Sequence, residues 1–494
     1  MLTVDNDLLS IQKARILAEN AFEAQKRLAA WPQERLDAVV EGMAAAVARH
    51  ARELAVMSHE ETEYGRPEDK LVKNRFVCER VAANLRGMRC VGVIGEDRER
   101  RIVDIGVPVG VVVALCPATS PVSTTVATAM NAVKSGNAVI FSPHPRACRT
   151  MGRTLDIMIE AAQSLGLPEG CLSYLSTVTA SGTLELMNHR ASSLILVTGV
   201  PGMLRAARGS GKPVIYGGTG NGPAFIERTA DIDRAVRDIV ASKTFDNGVC
   251  PSAEQSIVVE TCVSDRVRAA LRRNGAYFMT DEESLRLAAL FFCHDGRPRP
   301  GVVGRSARFL ARKAGVAAPE GVTVLVADRK YVSEQDPYSR EMLSPVLAYY
   351  MEDDWMHACE KCIELLLHEK NAHTLVIHSN DEDVIRQFAL KKPVGRLLVN
   401  TPATFGGMGA TTNLFPAMTL GSGSAGFGIT ADNLSPLNLI YTRKVGYGVR
   451  DLDGAVPGPG SAGPEQSGQL PLRLEALHRV LNEAIQVLEG PAQR

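Results

Sequence analysis

Along the first 87 residues apolar positions return every three or four places. Ala18, Phe22 and Leu28, then Leu36, Val40, Met43 and Val47, mark two stripes at near-helical spacing, and Pro32 supplies a start for the second. From Cys90 to Val103 the pattern becomes strand-like around a charged centre, EDRERR, which predicts a projecting ribbon. Between about 107 and 230, short β-rich runs (VGVVVALC, NAVIFSP, SSLILVTG, KPVIYGG) alternate with helical stretches. A second alternating unit follows, with SIVVE, VTVLVAD, PVLAYYM, HTLVIHS and GRLLVN as its strands. Such alternation predicts an α/β fold of two doubly wound, parallel-sheet domains with a cleft between them and a small ribbon. The expected division is 1–88 with 107–230, then 231–425, with 89–106 and 426–450 as bridging segments.

After Val449 the pattern stops. DLDGAVPGPGSAGPEQSGQ is rich in Gly, Pro and Ser and reads as a flexible linker over 451–470. Residues 471–494 then place Leu474, Leu477, Leu481, Ile485 and Leu488 on one face of an amphipathic helix. A tethered helix of this kind needs a partner, either its own domain or another protein.

Composition narrows the function classes. Lys plus Arg equals Asp plus Glu at 55 each, so no strong field recruits nucleic acid or an anionic membrane. The N-terminal stretch carries charge throughout and lacks a signal-peptide core, and the apolar run Val107–Cys116 is too short to span a bilayer. Ten scattered cysteines fit a reducing, cytoplasmic compartment. Cys359-x-x-Cys362, with His357 nearby, lies in a helical pattern without a second ligand pair, so it reads as structural and no metal is expected.

The most informative segment is TFDNGVCPSAEQS. A helical pattern ends in a Gly-containing loop that presents Cys250 just before a strand, a rigid mount for a nucleophile. Around it, EETEYGRPEDKLVKN, VPVGVVVALCPATSP, NAVIFSPHPRA, VTGVPGM, GKPVIYGGTGNGP, EMLSPVLAYY and PAMTLGSGSAGFGITADNLSPLNLI occur in order. With these motifs the chain resembles the aldehyde dehydrogenase superfamily, specifically its coenzyme-A-acylating branch, over about residues 10–450.

That resemblance implies a nicotinamide-binding domain in 1–88 and 107–230 and a catalytic domain in 231–425. It implies Cys250 as the nucleophile, with Ser120 where the family usually has an oxyanion-binding Asn. It places NAD or NADP across Ser142, Pro143 and His144 and against the turn Thr198, Gly199 and Gly202, with Gly217 and Gly218 at the floor of the site. Glu341 matches a glutamate that contacts the nicotinamide ribose. Gly217 stands where hydrolytic relatives carry a general-base glutamate, which implies coenzyme A rather than water as the acyl acceptor. Counted from Asp246, the family nucleophile usually falls one residue later, at Pro251. Short aldehydes such as acetaldehyde, propionaldehyde or sulfoacetaldehyde are the implied substrates. Two other readings stay open: a hydrolytic enzyme using Glu227 or Glu254, and a non-catalytic relative used in assembly. The resemblance also implies a homo-oligomer, dimer or tetramer, built through the ribbon and the segment near 430–450. The tail resembles the encapsulation peptides that bind shell proteins of bacterial microcompartments, so a compartment lumen is an alternative location.

Overall fold

The structure, a computed structural model, describes residues 5–293, 299, 301–369 and 373–450. Its first helix, Asn6–Leu28, starts where the Asp5 side chain accepts from the amides of Asp7 and Leu8. Its buried stripe runs through Ala14, Ala18, Ala21, Ala24 and Leu28. Phe22, expected in that stripe, is instead exposed and lies under the Lys26 ammonium. Small alanines, not the aromatic, let this helix sit close to the sheet. The second helix, Gln33–Thr62, follows Pro32 and ends at Glu63 in the left-handed conformation (φ 60°).

Five parallel strands form the first sheet, in the order Leu172–Tyr174, Ala138–Ser142, Val111–Leu115, Ser192–Thr198, Val214–Gly217. Side chains alternate between two cores because successive residues of a strand point to opposite faces. Val112, Ala114, Val139 and Phe141 pack with helices Gln33–Thr62, Pro121–Lys134 and Cys148–Ser164. Val111, Val113, Ile140 and Ile195 pack with helices Asn6–Leu28, Ala180–Asn188 and Pro201–Gly209. Both faces are covered, which is why these strands read as continuous apolar runs.

Seven parallel strands form the second sheet, in the order Ala276–Phe278, Val324–Asp328, Val346–Glu352, Ser256–Glu260, Pro223–Ile226, Thr374–His378, Arg396–Val399. Pro223–Ile226 lies before the expected boundary at 230 yet pairs here, so the chain passes between sheets within 218–222. Gly92–Asp97, Ile102–Pro108 and Ile440–Gly446 form a separate three-stranded sheet, the expected ribbon plus one returning strand. By compactness, residues 5–96 with 103–445 make one unit and 97–102 with 446–450 a small second one, as far as the described residues go. In the latter, the Tyr447 amide donates to the Arg101 carbonyl oxygen at 3.2 Å. The linker and amphipathic helix expected over 451–494 lie outside the described residues. Among the described residues no helix is long and apolar enough to cross a membrane.

Candidate active site

In an open parallel sheet, loops at the carboxyl ends of the strands converge on one edge. Here strand Val111–Leu115 runs on to Pro117, Thr119 and Ser120, and helix Pro121–Lys134 begins immediately after, with Pro at its first position. Strand Ser192–Thr198 delivers Gly199 (φ 58°), whose amide donates to the Gly217 carbonyl oxygen at 2.8 Å. Strand Val214–Gly217 delivers Gly218, whose amide donates to Ser422 Oγ at 2.8 Å. Ser120, Thr198, Gly199, Gly217 and Gly218 thus line one cavity, and Cys250 lines it from the other side.

The loop carrying Cys250 is held in an unusual backbone shape. After helix Ile232–Thr244, three successive residues are left-handed: Asp246 (φ 50°), Asn247 (φ 52°) and Gly248 (φ 72°). For the two non-glycines this costs free energy that neighbouring contacts must offset. Asn247 Nδ2 donates to the Gly304 carbonyl oxygen at 2.9 Å. Asp246 does more. Its amide donates to Asp69 Oδ2 at 2.8 Å, and its carboxylate accepts from the Arg66 amide at 2.7 Å. The carboxylate also meets Lys70 Nζ at 3.2 Å and Lys73 Nζ at 2.5 Å. It fits only because residue 65 is glycine: a Cβ there would lie 1.7 Å from Asp246 Oδ1.

Lys70 and Lys73 come from helix Pro67–Phe76, whose buried residues are Asp69, Lys70, Lys73 and Asn74 while Val72 is exposed. The charges of this motif have no role that its local pattern alone would assign. The signal was present: Asp69, Lys70 and Lys73 recur at helical spacing on one face, which normally would be the solvated one. Lys73 also donates to Ser120 Oγ at 2.7 Å. Ser120 therefore accepts a hydrogen bond from a buried cation and keeps its own hydroxyl hydrogen for the cavity.

These charges compete with burial at Cys250. Desolvation pushes the thiol up to about 11, against the pull of Lys73 and Lys70. Burial raises Asp246 too, but the two ammoniums outweigh it and hold the carboxyl below its ordinary value. Lys73, closest to that carboxylate, is held above its ordinary value despite burial. Lys70 is pushed down to about 8 by burial, with the Lys73 charge adding to the effect. Cys116, just after strand Val111–Leu115, is buried and pushed up to about 12 by that burial.

His373, which no local pattern in the sequence marks, lines the same cavity. Its Nδ1 is 2.7 Å from Thr374 Oγ1, and burial together with Arg396 pushes its pKa down to about 3. Pro251 also lines the cavity, and its carbonyl oxygen is so close to Gly220 that a Cβ there would lie 1.5 Å away. No carboxylate lines the cavity among the described residues. Glu227 accepts from the Thr229 amide and Ser379 Oγ, and Glu254 from the Ala403 amide.

The remaining expected positions surround rather than line this cavity. Ser142 Oγ lies 2.8 Å from Thr183 Oγ1 at the end of its strand. Pro143 borders a neighbouring pocket with Arg149, Arg153 and Tyr174. His144 Nδ1 accepts from the Arg146 amide at 3.1 Å, and burial lowers its pKa. Glu341 Oε1 accepts from the Gly220 amide at 2.8 Å, which ties it to the turn after Gly217. Gly202 is exposed in the first turn of helix Pro201–Gly209, where a Cβ would meet nothing within 4 Å. At that open helix start the Met203 amide donates to the Val200 carbonyl oxygen at 3.1 Å, and an anion such as a pyrophosphate would meet the positive end of the helix there. Among the described residues no group of acids, histidines and cysteines could hold a metal ion.

Comparison with known proteins bears on this arrangement. The model of the aldehyde dehydrogenase family matches residues 9–280. The chain is 34% identical to the succinate-semialdehyde dehydrogenase (acetylating) of Clostridium kluyveri, covering 87% of this chain and 95% of that one. It is 35% identical to the bifunctional aldehyde-alcohol dehydrogenase of Escherichia coli K12 over 88% of this chain but 49% of that protein. The chain thus spans about half the length of several curated relatives it matches. Among solved structures, a probable aldehyde dehydrogenase from Listeria monocytogenes superposes with a TM-score of 0.89 at 44% identity, covering 92% of this chain and 100% of that one. A Rhodopseudomonas palustris propionaldehyde dehydrogenase, solved with bound CoA and an acylated cysteine, gives 0.80 at 26% identity, covering 88% and 97%.

Proposed function

The chain belongs to the aldehyde dehydrogenase family, and on that premise we propose that it oxidises a short-chain aldehyde to acyl-CoA, reversibly, with NAD or NADP. The observation that carries this reading is Gly217. It faces the cavity that Cys250 lines, and a Cβ there would stand 2.9 Å from Thr419 Cγ2. A larger residue at that point would have to displace the Thr419 methyl, and glycine itself supplies no general base. A thiol acceptor can do without one, because its pKa near about 8.5 leaves an appreciable thiolate fraction at neutral pH.

In this mechanism the Cys250 thiol releases its proton to solvent, and the thiolate sulfur adds to the carbonyl carbon. Ser120, polarised by Lys73, donates its hydroxyl hydrogen to the developing oxyanion. A nicotinamide held beside the cavity would supply the hydride acceptor for that carbon, and Cys250 would then carry the acyl group as a thioester. Ser142, Pro143, His144, Thr198, Gly199 and Gly202 are the residues proposed to hold that coenzyme, with Gly218 and Glu341 bordering its reactive end. His373 stays uncharged and offers a hydrogen-bonding ring to the incoming thiol of CoA. Attack by that thiol on the thioester releases acyl-CoA and restores Cys250.

The test is reduced-coenzyme formation from a panel of short aldehydes, with and without CoA, using Cys250→Ala as the control. Turnover that requires CoA and yields acyl-CoA supports the reading. Free acid formed without CoA, or full activity in Cys250→Ala, would overturn it. The same reading assigns residues 89–106 and 426–450 to a homo-oligomer contact, supported by the exposed Val93, Ile429 and Tyr441. Residues 471–494 are proposed as an encapsulation peptide for a microcompartment shell, on the strength of their apolar stripe.

A further inference from the structure

Cys359 and Cys362, one helical turn apart in helix Trp355–Glu369, take no part in the chemistry above. Their surroundings differ. Cys362 is fully buried in the second core. Cys359 is 4% exposed, and the half-buried Lys392 lies against it. Lys392 follows helix Glu382–Lys391, and its Nζ has three fixed neighbours. It donates to the Cys359 carbonyl oxygen at 3.0 Å, lies 4.0 Å from the centre of the Phe388 ring, and stands 2.6 Å from Cys359 Sγ. The last distance is below even the roughly 2.7–3.2 Å of N–H···O bonds, although sulfur is larger than oxygen. Nitrogen and sulfur at this separation stand as close as two atoms bonded to one common atom.

We propose that Cys359 and Lys392 form a peroxide-reactive modification site, in which oxidation joins the two side chains through a single oxygen as an S–O–N bridge. The Cys359 sulfur attacks hydrogen peroxide: an S–O bond forms, the O–O bond breaks, and water leaves a sulfenic acid. Lys392, after losing its ammonium proton to solvent, then bonds through nitrogen to the sulfenic oxygen. The two hydrogens released, one from nitrogen and one from oxygen, reduce a second peroxide to two waters. In sum, one thiol, one amine and two peroxides give the bridge and three waters. A thiol reductant reverses it. The bridge closes a loop over the segment 360–391, which carries His373, so oxidation acts on the strand that borders the site.

Peptide mapping tests this. Trypsin places Cys359 in the peptide 341–361, Cys362 in 362–370 and Lys392 in 392–396, because cleavage before Pro393 is blocked. After treatment with hydrogen peroxide, the proposal expects 341–361 joined to 392–396, heavier than their sum by one oxygen and lighter by two hydrogens. The link should vanish with dithiothreitol, persist in Cys362→Ser and be absent in Lys392→Arg. In that last variant the sulfenic acid at Cys359 should instead be trapped by dimedone. The oxidised protein should also melt at a higher temperature than the reduced one, and Lys392→Arg should not. A disulfide joining 341–361 to 362–370 would overturn the proposal, as would an unlinked oxidised Cys359 beside an unmodified Lys392, or no reaction at Cys359.

Discussion

At Cys250 burial and charge act in opposite directions, and burial wins: the thiol is pushed up to about 11 despite Lys73 and Lys70. The reactive thiolate is therefore scarce at neutral pH in the free protein. Alkylation of Cys250 by iodoacetamide should accelerate about tenfold per pH unit between pH 7 and 9, since the thiolate fraction rises in that proportion below the pKa. Mass spectrometry of the labelled peptide reads this directly, and a plateau near pH 8 would show a thiol already ionised. Asp246 carries the opposite logic. Its carboxyl is held below its ordinary value of 3.8, so its contribution to stability is complete above that pH and is lost as pH falls through the lower folded value. Asp246→Asn leaves two buried ammoniums without their counter-charge and should cost about 3–5 kcal/mol in urea unfolding at pH 7. The gap between variant and parent should close in acid, below pH 3.8.

At the scale of elements, strands and helices long enough to show a period were legible in the sequence, and the three-residue edge strands were not. Leu172–Tyr174 and Ala276–Phe278 have three residues each, too few for alternation to register. Helix Pro67–Phe76 was harder still, because it buries its charged face and exposes Val72. Local amphipathicity gives the wrong face there, and only the partner Asp246, from a distant loop, makes that burial stable. The turn after Gly217 is a third case. Asn221 in that turn donates to the carbonyl oxygens of Ser339 and Leu365, both at 2.8 Å, and so fastens the floor of the site to helix Trp355–Glu369. Asn221→Ala leaves two buried acceptors unmet and should lower stability by about 1–3 kcal/mol, measured as a reduced Tm. Its effect on KM should exceed that of a surface control such as Asn84→Ala, whose side chain bonds only its own helix.

At the scale of the whole molecule, two parallel sheets meet so that strand ends of the first face the Cys250 loop of the second. The single passage between sheets, through Gly218–Gly222, explains why this turn is glycine-rich: Gly220 and Gly222 each lie against another backbone carbonyl oxygen, at 1.5 and 2.4 Å from where a Cβ would stand. The proposed tail follows a Gly-, Pro- and Ser-rich stretch in the sequence. Removal of residues 451–494 should leave kcat and KM unchanged while abolishing co-purification with shell proteins, as read in a pull-down from cells that make both. Unchanged co-purification would exclude the encapsulation role.

The sequence by itself determined the parallel α/β plan, the placement of Cys250 at a loop before a strand, and the glycine at 217, because period, turn residues and motif order are local properties of the chain. What only the tertiary structure decided is how these positions are charged and enclosed. That Lys73 polarises Ser120, that Asp246 sits in the space left by Gly65, that His373 joins the cavity and that Lys392 reaches Cys359 all depend on pairs far apart in the chain. Such pairs leave no periodic trace in a single sequence, since nothing in the spacing of one partner encodes the position of the other.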